Sequence, residues 1–239
     1  LKKRLQKGHF IMDMKYKLAL IQHLGEFITV NKKEKMEQVL AMRTRHVTIA
    51  LEDIYQSQNA SATLRTADCM GLQDAYIIEN YNEYEINPDV AKGATKWLDI
   101  HRFNEEEKDN TASCIDELKA KGFRVVGTSL SAESVHPADL PLDKPLALMF
   151  GNEEFGLSGF ARERTDINIK IPMHGFTQSF NISVSVAIAL SHIIRNLHQS
   201  ELEWHLSEEE KTDLQLKWYR RIADKRGLVE EKFKSQWQS

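Results

Sequence analysis

The chain reads as an α/β protein, a mostly parallel sheet with helices on both faces, set between helical N- and C-terminal extensions. Three observations lead there. From about residue 46, short β-branched segments alternate with amphipathic ones, the order that βαβ units require. The short segments are apolar almost without interruption, as strands covered on both faces are. The amphipathic segments between them stop at glycines, Gly71 and Gly122, where a left-handed residue closes a helix.

In chain order, residues 14–24 and 33–43 have helical periodicity and belong to a basic extension over residues 1–45. The chain opens on Leu1, so Met12 and Met14 stand as alternative starts. Strands are predicted at 46–54, 75–79, 97–103, 123–129, 146–150 and 167–171. Helices are predicted at 59–70, capped by Asn59, at 111–121, capped by Asn110 or Thr111, and from Phe180 to about Leu197, opened by Ser179 and Asn181. These fill one domain over 46–199. In the extension over 200–239, Ser207 and Glu210 form a capping box, opening a helix that runs to Arg226 and stops at Gly227.

Composition bounds the function. No stretch approaches 18 uninterrupted apolar residues, which argues against a membrane span. The basic N-terminus lacks the apolar core of a secretory signal. Cys69 and Cys114 stand alone without metal-ligand spacing, as reduced thiols of a cytoplasmic protein with no metal do. The net charge of −3 hides an asymmetry: residues 1–48 hold eleven Lys and Arg against four acids. A second basic cluster, Lys211, Lys217, Arg220, Arg221, Lys225 and Arg226, lies on the tail helix. Basic ends around an acidic middle suit a polyanion partner, although two solvated helical faces would have the same composition.

Three segments carry the chemistry. In Ile171-Pro172-Met173 through Ser179-Phe180-Asn181 a strand passes through a polar turn into the long apolar helix. Such a junction aims free backbone N–H groups and short polar side chains at the crevice above the sheet. Gly151-Asn152-Glu153-Glu154-Phe155-Gly156 lacks the Gly-Lys-Ser/Thr ending of a P-loop, which removes a nucleoside-triphosphate site. Its glycines let backbone approach a ligand closely, or simply make a turn. In the third, Asn59 follows a strand and Arg65 lies in the second turn of the helix after it. By themselves these two are a helix cap and a surface ion pair.

Taken in chain order, from Asn59–Arg65 through Gly151–Gly156 to Ile171–Asn181, the three segments resemble the motif set of the SpoU/TrmH family of RNA ribose 2′-O-methyltransferases, over roughly residues 47–199. The resemblance implies S-adenosylmethionine as cofactor, a SPOUT-type trefoil knot and a homodimer. It implies Arg65 as the central catalytic residue, with Asn59, Glu153, Ser179 and Asn181 completing the catalytic set. A guanidinium is a poor base, since its pKa exceeds 12, but it grips a phosphate bidentately and so fixes the adjacent ribose. Cofactor contacts are implied at Thr128, Leu130, Gly151, Ile171, Met173 and Phe180. The helical arms look most like those of family members that methylate guanosine 18 in the tRNA D-loop. Lys217, Arg220, Arg221, Lys225 and Arg226 would then meet RNA phosphates. Ribosomal RNA, another tRNA position, and non-catalytic RNA binding on the same scaffold remain the alternatives.

Overall fold

The computed structural model describes residues 13–85, 87–91, 93–129 and 133–237. In chain order it contains helices α1 (Met14–Gly25) and α2 (Val30–Ala41), then strand β1 (Val47–Glu52) and helix α3 (Ser57–Cys69). Strand β2 (Asp74–Ile78) and the one-turn α4 (Pro88–Ala91) follow, then β3 (Asp99–Phe103), α5 (Asn110–Ala120) and β4 (Arg124–Thr128). The chain continues through β5 (Leu146–Phe150), α6 (Gly159–Arg164), β6 (Ile167–Ile169) and α7 (Ile182–Gln199), and ends in α8 (Glu208–Ala223) and α9 (Leu228–Gln236). Among the described residues no helix is long and apolar enough to cross a membrane.

The six strands form one sheet in the order β3-β2-β1-β5-β4-β6, with every neighbouring pair parallel. Ile49, for example, lies opposite Ala75 on one side and Leu148 on the other. The chain steps outward from β1 to β3, re-enters at β4, and returns to β5 beside β1. The strand order therefore reverses between β1 and β5. At such a reversal the loops leaving the carboxyl ends splay apart and open a crevice.

Strand periodicity explains the unbroken apolar runs. Val47, Ile49, Leu51, Leu148 and Phe150 face α3 (Ala60, Leu64, Ala67) and α7 (Val186, Leu190, Ile193) in one core cluster. Ala50, Val125, Ala147 and Met149 point the other way, against Cys114, Ile115 and Leu118 of α5 and Ala161 of α6. Each fully buried Leu or Ile side chain here contributes about 1.5–3 kcal/mol. The sheet cannot expose either face without losing many of them.

Several boundaries differ from the sequence reading, each for a local reason. Strand β1 stops at Glu52 rather than 54 because Asp53 takes a left-handed φ of 51°. Its carboxylate there accepts the backbone N–H groups of Asn80 (2.7 Å), Tyr81 (2.8 Å) and Asn82 (3.3 Å). Helix α5 is capped by Asp109, whose side chain accepts from Ala112, and not by Asn110 or Thr111. Strand β6 ends at Ile169, two residues short of 171. Helix α6 was not foreseen. Its cap, Ser158, is clamped by the buried carboxylate of Glu52, which accepts from the Ser158 N–H and Oγ, both at 2.8 Å.

Contacts divide the chain into two units, Arg43–His205, which holds the sheet, and Leu1–Met42 with Leu206–Ser239. In the latter, α1 packs on α8, with Tyr16, Leu20 and Leu24 buried on the one and Leu214 and Trp218 on the other. The capping box of Ser207 and Glu210 opens α8 as the sequence predicts. The helix does not run to Arg226, however. It ends at Ala223, and the Asp224 carboxylate accepts the N–H groups of Val229 (3.1 Å) and Glu230 (2.8 Å), starting α9 across Gly227. Rings of Phe233 and Trp237 then meet Tyr16 of α1 at 5.7 and 5.5 Å.

Candidate active site

The carboxyl ends of β5, β4 and β6 and the start of α3 surround a cavity of about 770 Å³, a size typical of small-molecule sites. Gln56 and Asn59 reach it from the start of α3, Thr128 from β4, and residues 150–157 from β5. Ile169, Ile171, Met173 and Phe180 supply an apolar wall, with Ser179 and Asn181 beside it.

One hydrogen-bonded chain joins the three sequence segments. The Glu153 carboxylate accepts from Asn59 Nδ2 (2.7 Å) and from the backbone N–H groups of Tyr55 (2.9 Å) and Gln56 (3.3 Å). Asn59 Oδ1 accepts from Asn181 Nδ2 (3.0 Å), and Asn181 Oδ1 accepts from Ser183 N (2.9 Å) and Oγ (2.7 Å). Burial alone would raise the Glu153 pKa. The bonds from Asn59 and the Tyr55 and Gln56 amides outweigh it and hold the carboxyl below its ordinary value. Glu153 is therefore ionised at neutral pH, at the N-terminal end of α3 where negative charge is favoured.

This geometry revises two roles. Asn59 is not a helix cap: α3 starts at Ser57, and the orphan N–H groups ahead of it are met by Glu153 from a distant loop. Asn181 does cap α7, but Ser179 makes no cap bond and lies exposed on the cavity rim. Gly151 lines the cavity, yet its need for glycine comes from its own chain. A Cβ there would lie 2.1 Å from the backbone carbon of Gly156, where the loop closes through a Gly156 N–H bond to Asn152 O of 2.8 Å.

The SpoU rRNA Methylase family profile matches residues 46–191. The tRNA (guanosine(18)-2′-O)-methyltransferase of Borreliella burgdorferi is 41% identical over 213 residues, 89% of this chain and 95% of that one. The protein of the same description from Aquifex aeolicus is 32% identical over 197 residues, covering 81% and 91% of the two chains. This chain belongs to the SpoU methylase family. The crystal structure of the A. aeolicus TrmH/SpoU tRNA modifying enzyme superposes with a TM-score of 0.71 at 31% identity, over 80% of this chain and 96% of that one. The Streptomyces viridochromogenes AviRb methyltransferase, solved with AdoMet, shares the fold alone, with a TM-score of 0.57 at 20% identity over 68% and 65% of the chains.

In this SpoU methylase the structure gathers Asn59, Glu153, Ser179 and Asn181 at the cavity together with Thr128, Gly151, Ile171, Met173 and Phe180. It does not bring Arg65 there. Arg65 is exposed on α3, six residues past Asn59, which is about 9 Å along the helix and about a third of a turn around it. Leu130 lies outside the described residues. On the tail, Lys217, Arg221, Lys225 and Arg226 are exposed. Arg220 is not: its guanidinium makes a bidentate pair with Glu230 at 2.7 and 2.6 Å and is tied to α9.

Sequence reasoning missed Gln56 and Arg162, both in the cavity wall. Gln56 Oε1 accepts from Asn59 Nδ2 at 3.2 Å. Arg162 is carried by α6, for which the capping serine Ser158 was the available signal. Among the described residues, no three His, Cys, Asp or Glu side chains gather as a metal site would require.

Proposed function

We propose that the protein transfers a methyl group from S-adenosylmethionine to a ribose 2′-hydroxyl of tRNA, that of guanosine 18 in the D-loop. The observation that carries this reading is the Glu153–Asn59–Asn181 chain, which unites three distant segments at one cavity. The relatives described as guanosine-18 methyltransferases support the choice of substrate.

The cavity fits the cofactor by its chemistry. Residues 171–180 make no backbone hydrogen bond with other described residues, which leaves donors and acceptors for the edge of an adenine. Leu157, Ile169, Ile171 and Met173 offer apolar surface to its face. When bound, S-adenosylmethionine supplies the methyl group on a sulfonium, whose positive charge the ionised Glu153 would favour. Asn59 and Asn181, each held from two sides, present fixed dipoles. In this reading Arg65 grips the phosphate beside the target ribose and aligns its hydroxyl.

Arg65 lies outside the cavity of its own chain, so the reading includes a homodimer in which RNA and a second subunit close the distance. Phe180 and Val184, both 43% exposed beside the cavity and at the start of α7, are apolar surface that such a subunit would cover. We assign the family's trefoil knot to the β4–α7 segment, the transferase to residues 43–205, and RNA phosphate contacts to Lys217, Arg221, Lys225 and Arg226 on the terminal helices. A tRNA substrate places the protein in the cytoplasm.

The test is mass-spectrometric mapping of methylated nucleotides in tRNA incubated with the protein and labelled cofactor. Label at guanosine 18 is the expected result, and label elsewhere or only in ribosomal RNA overturns the choice of substrate. Arg65→Ala should lower turnover by about 10²–10⁴-fold with cofactor binding intact. Full turnover by that variant would remove Arg65 from the mechanism.

A further inference from the structure

Among the described residues lining the cavity, Arg162 is the one cation. It is exposed and makes no ion pair within the described chain, whereas Arg164, two residues on, is tied to Asp116 and lies over the Phe160 ring. The backbone that carries Arg162 is nonetheless anchored. Helix α6 is anchored by the Glu52–Ser158 clamp and by Ala161, which is fully buried against the sheet. An arginine held on an anchored helix, facing a cavity, with no carboxylate of its own, is a site for a ligand anion.

The cavity also separates its charges. Glu153 sits on the β1 flank, bound to the start of α3, while α6 packs beside β4 and α5. Strand β5 runs between β1 and β4, so the two charges belong to opposite flanks of the cavity. A ligand with a cationic centre and an anionic end matches that polarity.

We infer that Arg162 binds the carboxylate of the methionyl group of S-adenosylmethionine, and so makes the site select the amino-acid end of the cofactor. This rests on the methyl-transfer reading above. The carboxylate accepts a charge-assisted hydrogen bond from the guanidinium while Glu153 faces the positive part of the same molecule. Arg162 is a specificity-determining residue and takes no part in proton movement.

The test is isothermal titration of the full chain with S-adenosylhomocysteine and with its decarboxylated analogue, which keeps the amine. Wild-type protein should prefer S-adenosylhomocysteine by roughly ten- to hundred-fold, the worth of one charge-assisted hydrogen bond. In Arg162→Gln that preference should fall to about twofold, through loss of S-adenosylhomocysteine affinity alone, and Arg162→Lys should keep part of it. An unchanged preference in Arg162→Gln would place the carboxylate elsewhere. Equal weakening of both ligands would make Arg162 a shaping residue. Unchanged binding of both with weaker tRNA binding would make it a phosphate contact. Each of these outcomes overturns the inference and leaves methyl transfer standing. Wild-type protein that binds neither ligand sinks the transfer reading and the inference with it.

Discussion

The two sides of the cavity are built in opposite ways. On the β1–β5 side, the Glu153 carboxylate, the Asn59 amide and Gln56 Oε1 are bonded to one another and to the chain, and the Asp53 carboxylate pins the loop after β2 to the same edge. On the β6 side, the backbone of residues 171–180 bonds to no described residue, and the Phe176 side chain is fully exposed. The first side pays its ordering cost during folding and presents fixed dipoles and one fixed charge, the arrangement that stabilises developing charge without reorganisation. The second leaves its backbone hydrogen-bonding capacity open to a ligand or partner, the condition under which local stability is expected to be low. In the proposed reading the site is half finished, and binding would complete it.

The largest effect should come from breaking the finished side at its tightest contact. Gly151→Ala puts a methyl group 2.1 Å from the Gly156 backbone, so the loop carrying Glu153 must move. We expect a loss of about 3 kcal/mol, a Tm fall of roughly 6–12 °C, measured by thermal unfolding. Gly159→Ala is the control, because a Cβ there meets nothing within 4 Å. Similar Tm values for the two variants would show that the loop is not tightly built.

Glu153→Ala comes next. It strips acceptors from Asn59 Nδ2 and from the Tyr55 and Gln56 amides, and should cost about 1–3 kcal/mol for the groups left unsatisfied. Activity should fall further than stability, because Asn59 loses the anchor that orients it. A variant that is less stable but turns over normally would confine Glu153 to a structural role.

What the sequence disclosed follows the same division. The strands could be read because both faces of the sheet are covered, so that Val47, Ile49, Leu51 and their neighbours leave no polar gap. The convergence of Asn59, Glu153 and Asn181 was readable only through the family resemblance. The helix starts two residues before Asn59 because the turn leading into α3 is held by Glu153, 98 residues beyond Tyr55, and no local pattern reports so distant an acceptor. The tail failed in a related way. Gly227 does take a positive φ of 75°, but the Asp224 carboxylate uses the turn to start α9, and that helix then captures Arg220. Arg162 escaped notice because α6 has only six residues, too few for helical periodicity to show.

The unfinished side can be sharpened by hydrogen exchange. Amides of residues 173–180 should exchange close to the rate of an unfolded chain, while that of Asn59, bonded to Gln56 O at 2.9 Å, is protected. Adding S-adenosylhomocysteine should slow the first set and barely change the second, read by mass spectrometry of the corresponding peptides. Protection in residues 173–180 without ligand would mean that this wall is already ordered.

The smallest effect is the pH dependence of the finished side. The Glu153 carboxyl is held below its ordinary value in the folded chain, so unfolding brings a group that takes up protons more readily. The stability it contributes is thus fully present above the unfolded value and is lost as pH falls through the depressed folded one. The difference in Tm between wild type and Glu153→Gln should be constant from pH 7 to about pH 5 and should shrink below about pH 4. Because the carboxylate is partly open to solvent, water screens the effect and the change should be small. Parallel curves down to pH 3 would mean that the carboxylate bonds as well when protonated, and the fixed charge assigned to this side of the cavity would have to come from elsewhere.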